Sequence, residues 1–289
     1  MPLSYEIPPR KGNMSLTIKL NDTGVMVKAL QAALNASARA GLLVDGAFGP
    51  KTDVSLRAYQ GAHGLVVDGL AGPITLSLLG ITGKTVLTST LDRFNYIAAA
   101  KELGCGPWMV HGIALQETRA DPFLVDGRPR ILFERHQFYK RMRDRALADK
   151  LAASERDICH PTMKSGKNSD PKDRYPGGAA EWALLERAMQ YDAKAALESA
   201  SYGQFQVMGF NAVPIGYPTV EEFVRQMQLD VSYHLEAFVR FIKATPVALK
   251  AIRVEDIPAL SAAFNGAAYK VNQYDVKLKA CIAKIRSLY

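Results

Sequence analysis

The chain has 289 residues, of which 48% are hydrophobic and 22% are charged, and its formal net charge is +8. This length is enough for two domains, and the composition is that of an ordinary globular protein. No run approaches the ~20 apolar residues of a membrane-spanning helix. Three widely spaced cysteines predict neither a disulfide framework nor a zinc site.

The positive charge favours a polyanionic partner such as nucleic acid, anionic lipid or a wall polymer. Because the sequence has no aromatic RNA-binding strand, no zinc-finger spacing and no dense basic helix, we expect no nucleic-acid partner. The histidines show no metal-ligand spacing, so we expect no metal and no cofactor.

Residues 1–15 predict an irregular N-terminal tail. The tail begins MPLSYEIPPRKG and lacks the apolar region of a secretory signal peptide. We therefore expect no export through a signal peptide.

An internal repeat defines the first domain, expected at residues 16–80. The segment LLVDGAFGPKT (42–52) recurs as LVVDGLAGPIT (65–75). Each copy follows an apolar pair with Asp-Gly, a turn in which glycine takes positive φ. Each continues with Gly-Pro, which suits the first turn of a helix. The repeat therefore predicts two equivalent turns, each leading into a helix.

Two segments of helical period, VMVKALQAALNA and TDVSLRAYQGAHG, flank the first turn. Each has an apolar face, made by Val27, Leu30 and Leu34 in the first and by Val54, Ala58 and Tyr59 in the second. The spacing predicts two helices and a short third around one small core.

This region resembles the three-helix peptidoglycan-binding module of wall hydrolases. The matching residues are Gly24, Val27, Leu30, Gln31, Leu34, the DGAFGPKT and DGLAGPIT turns and Tyr59–Gln60. The resemblance implies a peptidoglycan site near the turns, with Asp45, Asp68 and Tyr59 as candidate wall-binding residues. The alternative for both aspartates is that they only stabilise their turns.

A polar linker is predicted at 81–90 and a second, mostly helical domain at 91–289. Its first helix, LDRFNYIAAAKELG, carries an apolar stripe of Phe94, Ile97 and Ala98. The next, PWMVHGIALQET, is apolar nearly all round and is expected to be buried.

Glu117 lies at the far end of that buried helix. Burial and a helix C-terminus both raise the pKa of a carboxyl group. The group then stays protonated near neutral pH, as a general acid must. From position alone, the alternative is an ordinary solvated helix end.

Three segments resemble, in the same order, motifs of lytic transglycosylases and goose-type lysozymes: ALQETRADPF around Glu117, SYGQFQVMG (201–209) and FNGAAYKVNQY (264–274). The whole of 91–289 most closely resembles the muramidase domain of modular phage endolysins. This implies a mainly α, lysozyme-like α+β fold with a small β-sheet, and Glu117 as the catalytic acid. It also implies further residues lining the sugar cleft: Gln206 and Asn265, with Tyr202, Gln204 and Tyr269 as weaker candidates.

The sequence departs from the transglycosylase pattern between Glu117 and Gln206, which are much further apart than in that family. The intervening block predicts a strand and a helix and then a long polar loop within 141–178, a candidate cover over the cleft.

The second carboxylate of a glycoside hydrolase is not identified by the motifs. The candidates are Asp121, Asp126 and Glu134. Asp126 also suits an Asp-Gly turn, and Glu134 also suits a salt bridge with a nearby arginine or the orientation of a water. A lytic transglycosylase would need no second carboxylate, so that reaction stays open.

The C-terminal part supplies the scaffold. EEFVRQMQLDVSYHLEAFVRFIKA predicts one long helix with Phe223, Met227, Val231 and Leu235 in the core. The segment IPALSAAFNGAAY is expected to carry Asn265 from a helix end into the cleft.

The two resemblances together imply an endolysin that binds peptidoglycan and hydrolyses the β-1,4 bond between N-acetylmuramic acid and N-acetylglucosamine. The resemblance implies a monomer that collects in the host cytoplasm and depends on a membrane-permeabilising protein before it acts on the wall in the periplasm. The basic surface suggests attraction to anionic outer membranes. The alternatives are a lytic transglycosylase, a non-catalytic wall-binding or virion protein, and a salt-dependent nucleic-acid binder.

Overall fold

The computed structural model describes residues 16–81, 90–117, 121–162, 175–271 and 273–289, without the side chains of Asn265, Ala267 and Ala268. The expected tail (1–15), most of the linker and the central part of the 141–178 loop lie outside these residues. The helices are α1 (Val25–Ala38), α2 (Pro50–Ala62), α3 (Pro73–Leu78), α4 (Arg93–Leu103), α5 (Pro107–Glu117), α6 (Arg135–Arg141), α7 (Arg145–Ser154), α8 (Ala179–Met189), α9 (Ala193–Glu198), α10 (Val220–Met227), α11 (Val231–Ala244), α12 (Pro246–Arg253), α13 (Ile257–Asn265) and α14 (Tyr274–Arg286). The strands are β1 (Ile131–Phe133), β2 (Ala200–Tyr202) and β3 (Val207–Met208), and short 3-10 turns cover Gly209–Asn211 and Gly266–Lys270.

Helices α1, α2 and α3 form the N-terminal region, as the repeat predicts. The expected apolar face of α1 is fully buried. The expected face of α2 is wrong in part, because Val54 and Ala58 are exposed. Leu56 and Tyr59 supply the apolar burial there, since the chain turns a neighbouring stripe of α2 toward α1.

The core of the second region is built on α5, which is buried as predicted. Helix α14 crosses it closely at Gly112, where an added Cβ would lie 2.6 Å from Cγ1 of Ile282. Only glycine allows this approach. The close packing brings the first residue of α14 beside the last residue of α5.

A three-stranded antiparallel sheet of order β1-β2-β3 lies beside the helices. Ile131 pairs with Tyr202, and Tyr202 pairs with Val207. The expected strand and helix after residue 130 are therefore present as β1 and α6.

Two helix predictions need correction. The predicted stripe of α4 is on the outer face, where Phe94 is 77% exposed, and Tyr96 and Leu103 are buried instead. The predicted long helix after residue 220 is divided into α10 and α11. The division lies at Asp230, whose carboxylate accepts a hydrogen bond from the backbone N–H of Ser232 (2.8 Å) and so begins a new helix.

The same carboxylate joins the two regions. Its second oxygen accepts a hydrogen bond from the N–H of Val25, at the start of α1 (2.9 Å). Gly24 precedes α1 and provides no side-chain cap of its own, with φ at 105°. A Cβ on Gly24 would lie 2.6 Å from Cβ of Asp230. Asp230 therefore caps one helix in each region.

Charged groups extend this contact. Arg225 donates from both terminal nitrogens to the carboxylate of Asp22 (both 2.7 Å), and Lys19 donates to Glu222 (3.0 Å). Burial alone would raise the pKa of Glu222, but hydrogen bonds from Arg225, Lys19 and Gln226 outweigh it and lower the pKa to about 2.

Among the residues the structure describes, no helix is long and apolar enough to cross a bilayer.

Candidate active site

A cleft of about 750 Å³ lies between the end of α5, strand β1, the β2–β3 turn and the segment before α8. This volume is in the range of ligand-binding clefts. Its described lining is mainly uncharged, with acidic groups at one end and one arginine: Glu117, Asp121, Pro122, Arg130, Ile131, Leu132, Gly177, Gly178, Gly203, Gln204 and Gln206.

Glu117 is half-buried at the end of α5 and lines this cleft, as the sequence predicts. The hydroxyl of Tyr274 donates a hydrogen bond to its Oε1. Tyr274 is the first residue of α14 and is largely buried, so it holds the carboxyl group in one orientation. It ends the segment FNGAAYKVNQY, which is the one sequence signal that could have identified it.

The three candidate second carboxylates separate clearly. Asp121 lines the cleft with Glu117. Asp126 is exposed and forms an ion pair with Arg128 (2.7 Å). It therefore stabilises its own Asp-Gly turn. Glu134 is not among the lining residues.

The carboxylate of Glu134 lies 3.3 Å from Nε2 of His136, and burial raises its pKa. Burial also lowers the pKa of His136, so burial disfavours the charged form of each of the two groups. Glu134 therefore lies against His136, and its expected role at the cleft stays a prediction.

Gln206 lines the cleft, but its amide is occupied by the protein. Its Oε1 accepts from the hydroxyl of Ser201 (2.7 Å), and its Nε2 donates to the carbonyl of Gly203 (2.8 Å). Its φ is 49°, in the left-handed region. Gln206 therefore fixes the β2–β3 turn rather than presenting a free amide.

Gln204 is the better-placed amide. Its Nε2 donates to the hydroxyl of Tyr96 (3.4 Å), and its Oε1 is buried without a donor among the described residues. The backbone N–H of Gln204 donates to Nδ1 of His234 (3.1 Å), whose Nε2 lies 2.7 Å from the carbonyl of Met227.

His234 supports the cleft floor from below. Burial lowers its pKa to about 4, so the ring is neutral and can accept from Gln204. Gly203 (φ 71°) lies directly above the ring, where an added Cβ would be 2.6 Å from Cγ of His234. This support was not recognised in the sequence.

Glu181 joins two walls of the cleft, and it too was missed. It is fully buried, and its two oxygens accept from the N–H of Phe133 and from the N–H of Gly177 (both 3.0 Å). Strand β1 is thereby tied to the segment of Gly177 and Gly178 before α8, the glycine wall of the cleft. Nothing in the local sequence distinguishes this glutamate from its exposed neighbours on α8.

The remaining cleft candidates lie elsewhere or are not described. Tyr202 is 1% exposed and donates to the carbonyl of Leu197 (3.0 Å), so its expected role in the cleft is wrong and it is a core residue. Tyr269 is half-buried against the core, near Lys270, and is not among the lining residues. The side chain of Asn265 lies outside the described part of the structure.

The wall-binding candidates of the N-terminal region form two equivalent turns. Oδ1 of Asp45 accepts from Gln31 and from the N–H of Ala47 (both 2.8 Å). Asp68 does the same with Gln60 and Leu70 (both 2.9 Å).

These hydrogen bonds, from backbone N–H groups first and glutamine second, lower the pKa of Asp45 and Asp68. The alternative that both aspartates stabilise turns therefore fits the geometry. Tyr59 is buried and stacks on His63 (3.9 Å between ring centres), so it is a core residue rather than a surface contact.

A second concave surface of about 260 Å³ lies beside the second turn, and its lining includes Gln60, Asp68, Leu70 and Ile74. The apolar side chains around both turns are exposed: Leu43, Val44, Val66, Val67, Leu70 and Ile74. Within the described residues no group of three or more histidine, cysteine or acidic side chains is arranged to hold a metal ion.

Comparison with known proteins identifies these two regions. Residues 107–286 match the family model described as N-acetylmuramidase. The chain belongs to the N-acetylmuramidase family. Residues 23–79 match a putative peptidoglycan binding domain, so this N-acetylmuramidase carries its binding domain at the N-terminal side.

The crystal structure of the Burkholderia AP3 phage endolysin resembles this N-acetylmuramidase over nearly all its length. The two are 38% identical with a TM-score of 0.60, over 94% of this chain and 99% of that chain. The predicted class, a modular endolysin with a three-helix binding domain and a mainly α, lysozyme-like enzyme domain, is confirmed.

Two curated relatives match over short segments. An uncharacterised protein of Kitasatospora aureofaciens is 47% identical over 60 residues, which is 20% of this chain and 51% of the relative. The zinc D-Ala-D-Ala carboxypeptidase of Streptomyces albus G is 36% identical over 63 residues, which is 21% of this chain and 25% of the relative. The chain thus spans about half of the first relative and a quarter of the second.

Proposed function

We propose that this N-acetylmuramidase hydrolyses the β-1,4 bond between N-acetylmuramic acid and N-acetylglucosamine, with Glu117 as the general acid. The observation that carries the proposal is the position of Glu117 in the large cleft, held by Tyr274. In the reaction, Glu117 gives its proton to the glycosidic oxygen as the bond breaks. Tyr274 keeps the carboxyl group aimed at that oxygen.

Asp121 is the second carboxylate in this proposal. It lines the same cleft, whereas Asp126 and Glu134 are engaged by Arg128 and His136. It would act on the opposite side of the sugar, as a nucleophile or as a base for water. Asp121→Asn should therefore lower kcat with little change in KM.

Gln204 is the proposed sugar contact. Its Oε1 has no donor among the described residues, and a buried acceptor without a donor is unfavourable. A substrate hydroxyl or amide N–H that reaches it would supply the missing hydrogen bond. Gln206, Asn265 and Glu134 stay as weaker proposals, with Gln206 acting through the shape of the turn.

We propose that the N-terminal domain binds the wall through the exposed apolar side chains around its two turns, with Asp45 and Asp68 holding those turns in shape. Sugar faces and peptide methyl groups both pack well on such surfaces. The support is the concave surface beside the second turn, whose lining includes Leu70 and Ile74.

The biological role proposed is that of a phage endolysin. The protein would collect as a monomer in the host cytoplasm, pass a membrane opened by another protein, and lyse the host from the periplasm. The support is the similarity to the AP3 phage endolysin. The net charge of +8 would add attraction to anionic outer-membrane surfaces.

Analysis of the product ends tests the proposed reaction. Purified peptidoglycan is digested, and the fragments are examined by mass spectrometry. Reducing N-acetylmuramic acid ends are the expected result. Ends of the 1,6-anhydro type would instead mean a lytic transglycosylase, and the absence of fragments despite wall binding would mean a non-catalytic wall protein.

A further inference from the structure

The charges of the cleft pose a problem for an acidic substrate. Among the described lining residues, Glu117 and Asp121 are acidic and Arg130 is the one cation. Peptidoglycan stem peptides carry carboxylates, and they branch from the muramic acid at which the glycan is cut. Glu117 carries the proton that it transfers, but the second acidic group, Asp121, repels such carboxylates in a partly enclosed cleft unless a cation faces them.

Arg130 is held rigidly in this cleft. Its backbone N–H donates to the carbonyl of Pro122 (2.9 Å), and its carbonyl accepts from the N–H of Gly203 (2.8 Å). Its side-chain Nε donates to the carbonyl of Asp121 (2.5 Å). Arg130, which precedes β1, is therefore bonded both to the segment at residues 121–122 and to the β2–β3 turn.

The terminal nitrogens of Arg130 have no partner among the residues that the structure describes. This differs from Arg128, two residues earlier, whose Nη1 donates to Glu186 (3.0 Å) and whose Nε and Nη2 donate to Asp126 (2.9 and 2.7 Å). With Nε anchored, the guanidinium of Arg130 presents a planar pair of donors that matches a carboxylate.

We propose that Arg130 binds a stem-peptide carboxylate of the substrate and makes the enzyme select glycan strands whose stems are anionic. This inference rests on the proposed glycan-strand cleavage and names the part of the substrate that gives specificity. It assigns the arginine to recognition, while proton transfer remains with Glu117.

A matched pair of substrates tests the assignment. One is soluble glycan strands with free stem carboxylates, and the other is the same strands after carbodiimide coupling to methylamine, which makes the carboxylates neutral amides. The parent should have a kcat/KM about 10- to 100-fold higher on the anionic strands, as expected for a charge-assisted hydrogen-bonded pair.

Arg130→Gln should lose this preference, because kcat/KM should fall by a larger factor on the anionic strands than on the neutral strands. Arg128→Gln is the control, and it should keep the ratio of the parent because Arg128 is not among the described lining residues and is paired with Asp126 and Glu186. If Arg130→Gln lowers kcat/KM by the same factor on both kinds of strand, the residue is only structural and the proposal is wrong. If that variant fails to fold, Arg130→Met, which removes the charge but keeps an extended side chain, replaces it, and an unchanged preference in the methionine variant also overturns the proposal.

The released ends separate this inference from the function on which it rests. Equal release of reducing muramic acid ends from both substrates by the parent would leave the proposed function intact and overturn the role of Arg130. If the parent releases reducing muramic acid ends from neither substrate, both the proposed function and the role of Arg130 are wrong.

Discussion

Replacement of Asp230 should weaken both regions of the chain at once. One oxygen of this carboxylate caps α11 through Ser232, and the other caps α1 through Val25. Loss of a helix N-cap costs about 1 kcal/mol. Asp230→Ala should therefore lower the free energy of unfolding by about 2 kcal/mol, since both caps are lost.

Two variants separate the contributions. Asp230→Ser keeps a cap for α11 but is too short to reach Val25, so it should cost about 1 kcal/mol. Asp256→Ala removes a cap from α13 alone, where Asp256 accepts from the N–H of Ala259 (3.0 Å), and is the single-cap control.

The assay is urea unfolding of the full chain, followed by far-ultraviolet circular dichroism at neutral pH. The expected order of stability is parent, then Asp230→Ser and Asp256→Ala together, then Asp230→Ala. If Asp230→Ala lowers the free energy of unfolding no more than Asp256→Ala does, the hydrogen bond to α1 contributes nothing and Asp230 does not stabilise both regions.

Three further predictions follow from the site and the turns. Tyr274→Phe should lower kcat about 10- to 100-fold and move the alkaline limb of the pH–rate profile upward, because the ionised form of Glu117 loses a donor; an unmoved limb contradicts this. Because the pKa of His234 is lowered from 6.5 to about 4, the unfolded chain binds the extra proton, and stability should fall as pH decreases through this window; in His234→Asn this part of the slope in a pH series of urea melts should vanish. Gln31→Leu leaves the buried N–H of Gly46 without its acceptor and should lower the free energy of unfolding by about 1–3 kcal/mol. A urea midpoint equal to that of the parent would show that this hydrogen bond does not stabilise the turn.

The features that sequence predicts well here are periodic or contiguous. The buried face of α1 and the two Asp-Gly turns each follow from residues close together in the chain. Glu117 is the candidate acid because it ends a wholly apolar helix, which is unusual for a carboxylate, and because three segments resemble lysozyme and transglycosylase motifs in the same order.

The stripe of α4 shows the limit of periodicity. Two neighbouring stripes of that helix both carry large apolar side chains, and Tyr96 faces inward because its ring stacks on His111 (4.1 Å). Which stripe is buried depends on a partner in another helix.

Tyr274 and Glu181 were missed for the same reason. Tyr274 is 157 residues from Glu117 in the chain, and only the packing of α14 on α5 brings them together. Glu181 accepts hydrogen bonds from backbone N–H groups of β1 and of the glycine wall. Because nearly every residue has such a donor, the sequence does not show which ones a glutamate will bind.

We propose that Glu117 performs the chemistry in a cleft that is separate from the wall-binding domain. The most direct test compares the parent with Glu117→Gln, measuring co-sedimentation with purified peptidoglycan and the rate of release of soluble fragments. We predict unchanged co-sedimentation and a release rate lower by about 100- to 10,000-fold, the usual contribution of a general acid. A variant that binds the wall equally well and releases fragments at the parental rate would contradict the claim.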